Sequence, residues 1–356
     1  MPILVNLSFA PAQPTGWLSY SLNLLKELKN LDIDVLSPIE ISGIKCHQSP
    51  PDMTTDFGMK GHLKRLLWTQ FKLPNLYRKM KSTLLFSPIP EAPLFSSCSY
   101  VVTVHDLIPL RFPQWFSRTQ RLYCSYYIRA VITQSKHVIC DSMATAEDLS
   151  KFLGVTEDKI TVIPLAYDSE KFRFLDLPTQ NYFLYLGRHN PHKNSERLIT
   201  AFAALSNCKD YELWLAGPSD RRYTPVLKAQ VEKLGITDRV KFLDYIPDSE
   251  LPKIINQAIA LVFPSLWEGF GLPVLEAMAC GTPVITSNLS SLPEVAGDAA
   301  ILIDPYNTGE ITEAMQAIAT NSGLRSRLSS QGITHCQQFS WEKTGKATVE
   351  VLSRYI

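Results

Sequence analysis

At roughly 150 residues per domain, 356 residues imply about two domains, with one large barrel as the main competitor. Apolar residues at 45% and charged residues at 19% exclude disordered, collagen-like and low-complexity classes. The net charge of +1, from 35 Lys and Arg against 34 Asp and Glu, lacks the basic excess that a phosphate backbone demands, so no nucleic-acid partner is expected.

Taken in chain order, short runs rich in Val, Ile, Leu and aromatics alternate with segments of helical period, the pattern of parallel strands joined by crossover helices. Strands are expected near residues 3–9, 84–87, 101–105, 137–141 and 160–164, with a further one opening near Asp32, and helices near 18–31, 118–133 and 144–152. After the polar stretch 168–181 the same logic starts again. Strands fall near 182–187, 212–216, 240–243, 260–263, 284–287 and 300–303, and a last helix opens at Trp341 with Ser340 as its cap. The expected organisation is an α/β N-terminal domain over 1–170, a second over 178–338, and a helix over 339–356 returning to the first.

The longest apolar run, residues 258–263, is far shorter than the ~20 residues of a spanning helix, and the amino terminus lacks a basic start followed by an apolar stretch. Seven cysteines lie far apart and cannot all pair. A cytoplasmic location is expected.

The densest chemical signal is Pro264-Ser265-Leu266-Trp267-Glu268-Gly269-Phe270-Gly271-Leu272-Pro273-Val274-Leu275-Glu276, directly after an apolar strand. Its glycines admit a ligand close to the backbone, and Pro273 suits the first turn of a helix whose free N–H groups favour an anion. Glu268 and Glu276 add acceptors suited to hydroxyls. A nucleotide sugar combines those anionic and polyhydroxyl parts; the bland alternative is a tight turn capping an ordinary helix. At the end of the strand over 182–187 stand Arg188 and Lys193, two cations placed to hold a diphosphate in the crevice beyond the strand ends, or else two solvated charges.

Arg188 with Lys193, then Glu268 and Glu276 with seven residues between them, resemble the retaining nucleotide-sugar glycosyltransferases of family 4, which have the GT-B fold of two Rossmann-like α/β/α domains facing a central cleft. Ala216-Gly217, the stretch 238–243, Ala279-Cys280-Gly281-Thr282-Pro283-Val284 and Pro293-Glu294-Val295 resemble the family too. The resemblance implies that Arg188 and Lys193 bind the diphosphate and stabilise the leaving nucleotide. Glu276 would accept from the ribose hydroxyls, while Glu268 and the backbone N–H groups of Phe270, Gly271 and Leu272 would hold the transferred sugar. Tyr245 and Ile246 fall where the family contacts the base; core packing is the alternative for both.

In the first domain the expected strand delivers His105 and Asp106 at its carboxyl end, where the family's His-Asp pair implies a catalytic His105 on the acceptor side. Leu107-Ile108-Pro109-Leu110-Arg111-Phe112-Pro113 is similar to mannosyl- and rhamnosyl-transferring members. The first loop departs from the family: Gly16-Trp17-Leu18-Ser19-Tyr20 keeps Gly16 and Tyr20 but lacks the second glycine and the basic residue, so only Gly16 carries over as donor-binding. No Asp-x-Asp ends a strand, so neither a metal nor another cofactor is expected. The resemblance implies a retaining, metal-independent hexosyltransferase, with mannose from GDP-mannose moved to a glycan or lipid-linked acceptor. The alternatives are a UDP-sugar donor or a non-catalytic sugar-nucleotide-binding subunit. No G-x-G-x-x-G opens a dinucleotide site.

From Phe57 to Pro90 there is no acidic residue, while Lys60, Lys64, Arg65, Lys72, Arg78, Lys79 and Lys81 are basic and Leu63, Leu66, Leu67, Trp68 and Phe71 fall among them. Two readings fit: a core-facing helix with a solvated basic side, or peripheral contact of residues 60–81 with an anionic membrane. Pro74 limits the continuous helix.

Overall fold

The computed structural model describes residues 2–10, 16–206, 210–244 and 246–356. It divides into two compact units, Met1–Leu165 with Ser340–Ile356, and Ala166–Phe339. In the first, β1 (Ile3–Asn6), β2 (Ile33–Ser37), β3 (Cys46–Gln48), β4 (Leu84–Ser87), β5 (Tyr100–Val104), β6 (His137–Cys140) and β7 (Ile160–Val162) form one sheet in the order β3-β2-β1-β4-β5-β6-β7. In the second, β8 (Tyr182–Leu186), β9 (Glu212–Ala216), β10 (Val240–Leu243), β11 (Ala260–Phe263), β12 (Val284–Ser287) and β13 (Ile301–Ile303) run β10-β9-β8-β11-β12-β13. Every pairing is parallel. Strands such as Tyr100–Val104 and Tyr182–Leu186 are buried throughout, which is why they read as continuous apolar runs rather than alternating ones. The strand order turns back between β1 and β4 and again between β8 and β11, the places where an open parallel sheet leaves a crevice.

β3 was not expected. It has three residues, none buried, at the sheet edge, and so carries almost no hydrophobic signal. Residues 166–170, expected in the first domain, lie in the second unit because the chain is already tied there. Phe172 is buried, the Asn256 amide donates to the Arg173 carbonyl at 3.0 Å and accepts from the Leu175 N–H at 2.8 Å, and Lys171 pairs with Asp248 at 2.8 Å.

The final helix, Trp341–Ser353, packs in the first unit against the helix Gly16–Glu27. A Cβ on Gly345 would lie 2.2 Å from Cβ of Glu27, so the glycine in that helix is what admits the close approach. Ser340 caps it through the Lys343 N–H, and Thr344 Oγ1 donates to the Pro164 carbonyl at 2.8 Å.

The basic segment forms two helices, Gly58–Phe71 and Leu73–Lys79, which meet at Lys72 and leave Pro74 in the first turn of the second, where proline is tolerated. Arg65, expected on the basic face, is instead buried and paired with Glu91 at 2.7 Å. Trp68 packs on the core, whereas Leu63, Leu67 and Phe71 are exposed. Among the described residues, no helix is long and apolar enough to cross a membrane.

Candidate active site

In the second unit the carboxyl ends of β8 and β11 flank the point where the strand order reverses. Gly187 ends β8 with φ +152°, and a Cβ on Gly217, at the end of β9, would lie 2.2 Å from the Gly187 carbonyl, so the two strand ends approach through glycine. The following turn, Pro191–Lys193, is stitched to the loop after β11. Leu266 N–H donates to the His192 carbonyl at 2.7 Å, and the Asn194 amide donates to the carbonyls of Pro264 at 3.0 Å and Pro305 at 2.7 Å. This stitching sets Lys193 Nζ against Glu268, donating to Oε1 at 2.6 Å and Oε2 at 2.8 Å. Two of the four residues expected to be catalytic are therefore in contact across 75 positions of sequence. Burial holds His192 down at about 4, so its ring is neutral beside that pair. Arg188, between β8 and that turn, is exposed, its carbonyl accepting from the Tyr185 hydroxyl at 2.9 Å.

The loop 264–271 is shaped by residues that the sequence did not single out. Ser290 Oγ accepts from the Glu268 N–H at 3.1 Å, and Ser291 Oγ lies 3.1 Å from the Glu268 carbonyl and 2.6 Å from that of Phe270. Gly271 has φ +113° and precedes the helix Leu272–Ala279, whose first turn receives no side-chain cap. Within that turn Pro273 has no N–H and the Val274 N–H donates to the Gly271 carbonyl at 2.9 Å, so the positive dipole end, more than free donors, is what favours an anion here. Phe270 is buried against Phe339. Glu276 lies one turn into that helix. Burial pushes its carboxyl up to about 7; Lys171 draws it down, and Asp248 and Asp168 add to the rise. Ile246 is half-buried, and Tyr245 lies outside the described residues.

In the first unit, His105 follows β5 and is buried. Its partner is Asp141, at the end of β6, rather than Asp106. Nδ1 lies 2.6 Å from Asp141 Oδ2 and Nε2 donates to the Pro88 carbonyl at 2.9 Å. Burial opposes a charge on this ring, but the Asp141 carboxylate and the carbonyl outweigh it and raise the imidazolium's pKa above the ordinary histidine value. Asp106 instead closes a local turn, accepting from the Ile108 N–H at 3.1 Å. Tyr20 meets the imidazole edge-on at 4.9 Å, and Trp17 stacks over it at 6.3 Å. Gly16 opens its helix exposed, with nothing within 4 Å of where a Cβ would stand. Asp141, Asn194, Ser290 and Ser291 were the missed residues; a polar side chain at a strand end or just past a turn was the only available sign of them.

A model of glycosyl transferases group 1 matches residues 168–335, and a model of glycosyltransferase family 4 matches residues 14–171. The O-antigen chain mannosyltransferase B of Escherichia coli is 30% identical over 262 residues, covering 70% of this chain and 68% of that protein. This chain belongs to the group 1, family 4 glycosyltransferases. It is accordingly a nucleotide-sugar-dependent hexosyltransferase. The O-antigen chain mannosyltransferase RfbU of Salmonella typhimurium is 29% identical over 315 residues, 85% of this chain and 87% of that one. Among solved structures, a sucrose-phosphate synthase from Thermosynechococcus elongatus superposes with a TM-score of 0.80 at 21% identity, over 99% of this chain and 98% of that one. HepE of Anabaena, solved with UDP and glucose, gives 0.78 at 20% identity, over 99% and 100%. These likenesses place the glycosyltransferase within the GT-B fold.

Proposed function

We propose that this glycosyltransferase moves mannose from GDP-mannose to a hydroxyl of a glycan or lipid-linked acceptor in polysaccharide biosynthesis, with retention of configuration and without a metal or other cofactor. The observation that carries the reading is the Lys193–Glu268 pair beside the uncapped amino end of Leu272–Ala279. The choice of mannose rests on relatives, two of which are O-antigen chain mannosyltransferases.

Cleaving the anomeric bond leaves negative charge on the departing diphosphate and positive charge on the sugar. Arg188, Lys193 and the N–H groups of Phe270, Gly271 and Leu272 supply positive potential where the anion forms, which is where electrostatic assistance lowers a barrier most. On donor binding, Lys193 turns from Glu268 to the diphosphate, freeing the Glu268 carboxylate to accept from the hydroxyls of the transferred sugar. Glu276 accepts from the ribose, and Tyr245 with Ile246 borders the base. His105 acts on the acceptor side. With both ring nitrogens engaged it holds a fixed position beside the acceptor rather than acting as a base. The acceptor hydroxyl then attacks the face from which the diphosphate leaves, forming the new glycosidic bond as the anomeric C–O bond breaks and passing its proton to the departing phosphate oxygen. The enzyme works at the cytoplasmic side, with peripheral membrane contact through residues 60–81.

The test is transfer from isotopically labelled GDP-mannose to a membrane lipid extract, with UDP-glucose and UDP-galactose in parallel and the product's anomeric configuration read by NMR. An α-mannoside supports the reading. Transfer only from a UDP-sugar would overturn the donor, and an inverted product would overturn the mechanism.

A further inference from the structure

The helix Gly58–Phe71 sits with its polarity reversed. Its inward row is Gly61, Arg65 and Thr69, all buried, and its outward row is Met59, Leu63, Leu67 and Phe71, exposed by 74%, 58%, 53% and 68%. The four-residue spacing of both rows makes them opposite faces of one helix. The orientation is locked by chemistry that a rotation would break. Arg65 donates through Nε and Nη2 to Glu91 at 2.7 and 2.9 Å and through Nη1 to the Met53 carbonyl at 2.9 Å, and Gln70 donates to the Ala92 carbonyl at 3.1 Å. A Cβ on Gly61 would lie 2.5 Å from the Thr54 carbonyl, so the inward face approaches this closely only because residue 61 is glycine.

A second helical stretch lies alongside. Arg118–Leu122, opened by a Ser117–Gln120 capping box, continues through one π-helical segment, Tyr123–Ile128, into Arg129–Gln134. Inward, Tyr123 donates to the same Glu91 at 2.8 Å and meets the His62 ring at 4.8 Å, and Tyr127 donates to the Ala92 carbonyl at 3.1 Å. Outward stand Leu122, Tyr126, Arg118, Arg121 and Arg129. Arg118 and Arg121 line an open depression of about 370 Å³ together with Leu110, Leu122 and Ser125. Residues 57–90 and 107–140 contain twelve Lys and Arg and no carboxylate, in a chain whose net charge is +1. Lys64, Arg65 and Arg111 are paired with Asp52, Glu91 and Asp148, but exposed apolar side chains in contiguous rows, rimmed by exposed cations such as Lys60, Lys72, Arg118, Arg121 and Arg129, match the headgroup zone of an anionic bilayer, where apolar groups enter and long basic stems reach back to phosphate.

We infer that the outer faces of these two helices form one docking surface for a bilayer carrying anionic headgroups, with Met59, Leu63, Leu67, Phe71, Leu122 and Tyr126 entering it. This deepens, and rests on, the reading of an enzyme at a membrane surface. It adds the second helix and removes Arg65 from the lipid-facing set. Lys64, which pairs with Asp52, plays no part in it.

Co-sedimentation with vesicles of phosphatidylglycerol and phosphatidylethanolamine, against vesicles of phosphatidylcholine, tests it. Wild type binds the anionic vesicles at low salt and releases as salt rises. The variant L63S/L67S/F71S partitions at least about tenfold less, and R121E/R129E loses about fivefold per charge. F174S, an exposed apolar change in the second unit, partitions as wild type. All variants keep the wild-type melting temperature and the same stabilisation by GDP. Wild-type binding that both sets of variants preserve would overturn this surface and leave membrane association standing. Absence of wild-type binding at low salt would overturn both, and dimerisation abolished by L63S/L67S/F71S would assign the ridge to a second copy.

Discussion

The two charged pairs at strand ends, Lys193–Glu268 after β8 and β11 and His105–Asp141 after β5 and β6, are built in opposite ways. Glu268 is as buried as His105, but Lys193 keeps some exposure, and its ammonium carries three donors on a flexible stem. Lys193 can therefore trade its partner for a ligand group. His105 and Asp141 are almost sealed, and the imidazole has no free nitrogen with which to take up a new partner. A pair that exchanges partners can follow a reaction; a sealed pair can only hold its place and shape. Breaking the first should therefore register in turnover, and breaking the second in folding as well, since a buried charge left without its partner is costly.

The largest effect is expected at Lys193. Lys193→Ala should lower turnover by about 10²- to 10³-fold, the cost of one lost contact to a leaving group, while thermal melts stay close to wild type. A variant that unfolds instead would put Lys193 in the same class as His105 and erase the contrast. Next comes His105→Ala, expected to lose about 2–4 kcal/mol of stability and to reduce transfer while leaving the donor dissociation constant unchanged. Its pH dependence has a definite sign. Because the native pKa is raised, the stabilisation is complete below the unfolded histidine value of about 6.5 and fades as pH climbs through the native value. Urea melts across this range should show wild type, but not His105→Gln, losing that increment.

Glu276 sharpens the comparison from a third position. Its carboxyl accepts from both ribose hydroxyls more strongly when ionised, yet burial holds it at about 7, so donor affinity should rise as pH increases from 6 to 8. In the free protein the same shift stabilises below about 4.5 and is lost as pH rises through 7. Glu276→Gln should flatten both profiles and weaken the donor up to about tenfold at pH 8. The smallest effect belongs to Gly16→Ala. Nothing stands within 4 Å of the new methyl, so stability should change by less than about 0.5 kcal/mol and donor affinity hardly at all; a large loss in affinity would restore the loop to the donor site.

The second unit was legible because its strands are short, buried runs and its motif residues lie on tight turns that only particular residues allow. The expected strands at 212–216, 240–243, 260–263 and 284–287 coincide with those observed. Arg188, Lys193, Glu268 and Glu276 were named from chemistry and resemblance, but their contacts were not, because Asn194, Ser290 and Ser291 act through backbone carbonyls and N–H groups that leave no residue pattern. In the first unit the sequence placed His105 and Asp106 together at a strand end but did not show which carboxylate holds the ring. Adjacent residues on an extended chain point apart, and the carboxylate that reaches the ring comes from the next strand over. The helix 58–71 defeated the usual reading of an amphipathic stripe, since its buried face is built around an arginine and its apolar row faces out.

The central claim is that Lys193 leaves Glu268 for the diphosphate of a guanosine donor, and thermal unfolding with added nucleotide tests it directly. At about 100 times its dissociation constant, GDP should stabilise the wild-type protein by about 2.7 kcal/mol, UDP at the same concentration should do far less, and Lys193→Ala should lose most of the GDP effect without losing its fold. Equal stabilisation of wild type and Lys193→Ala by GDP would contradict the account.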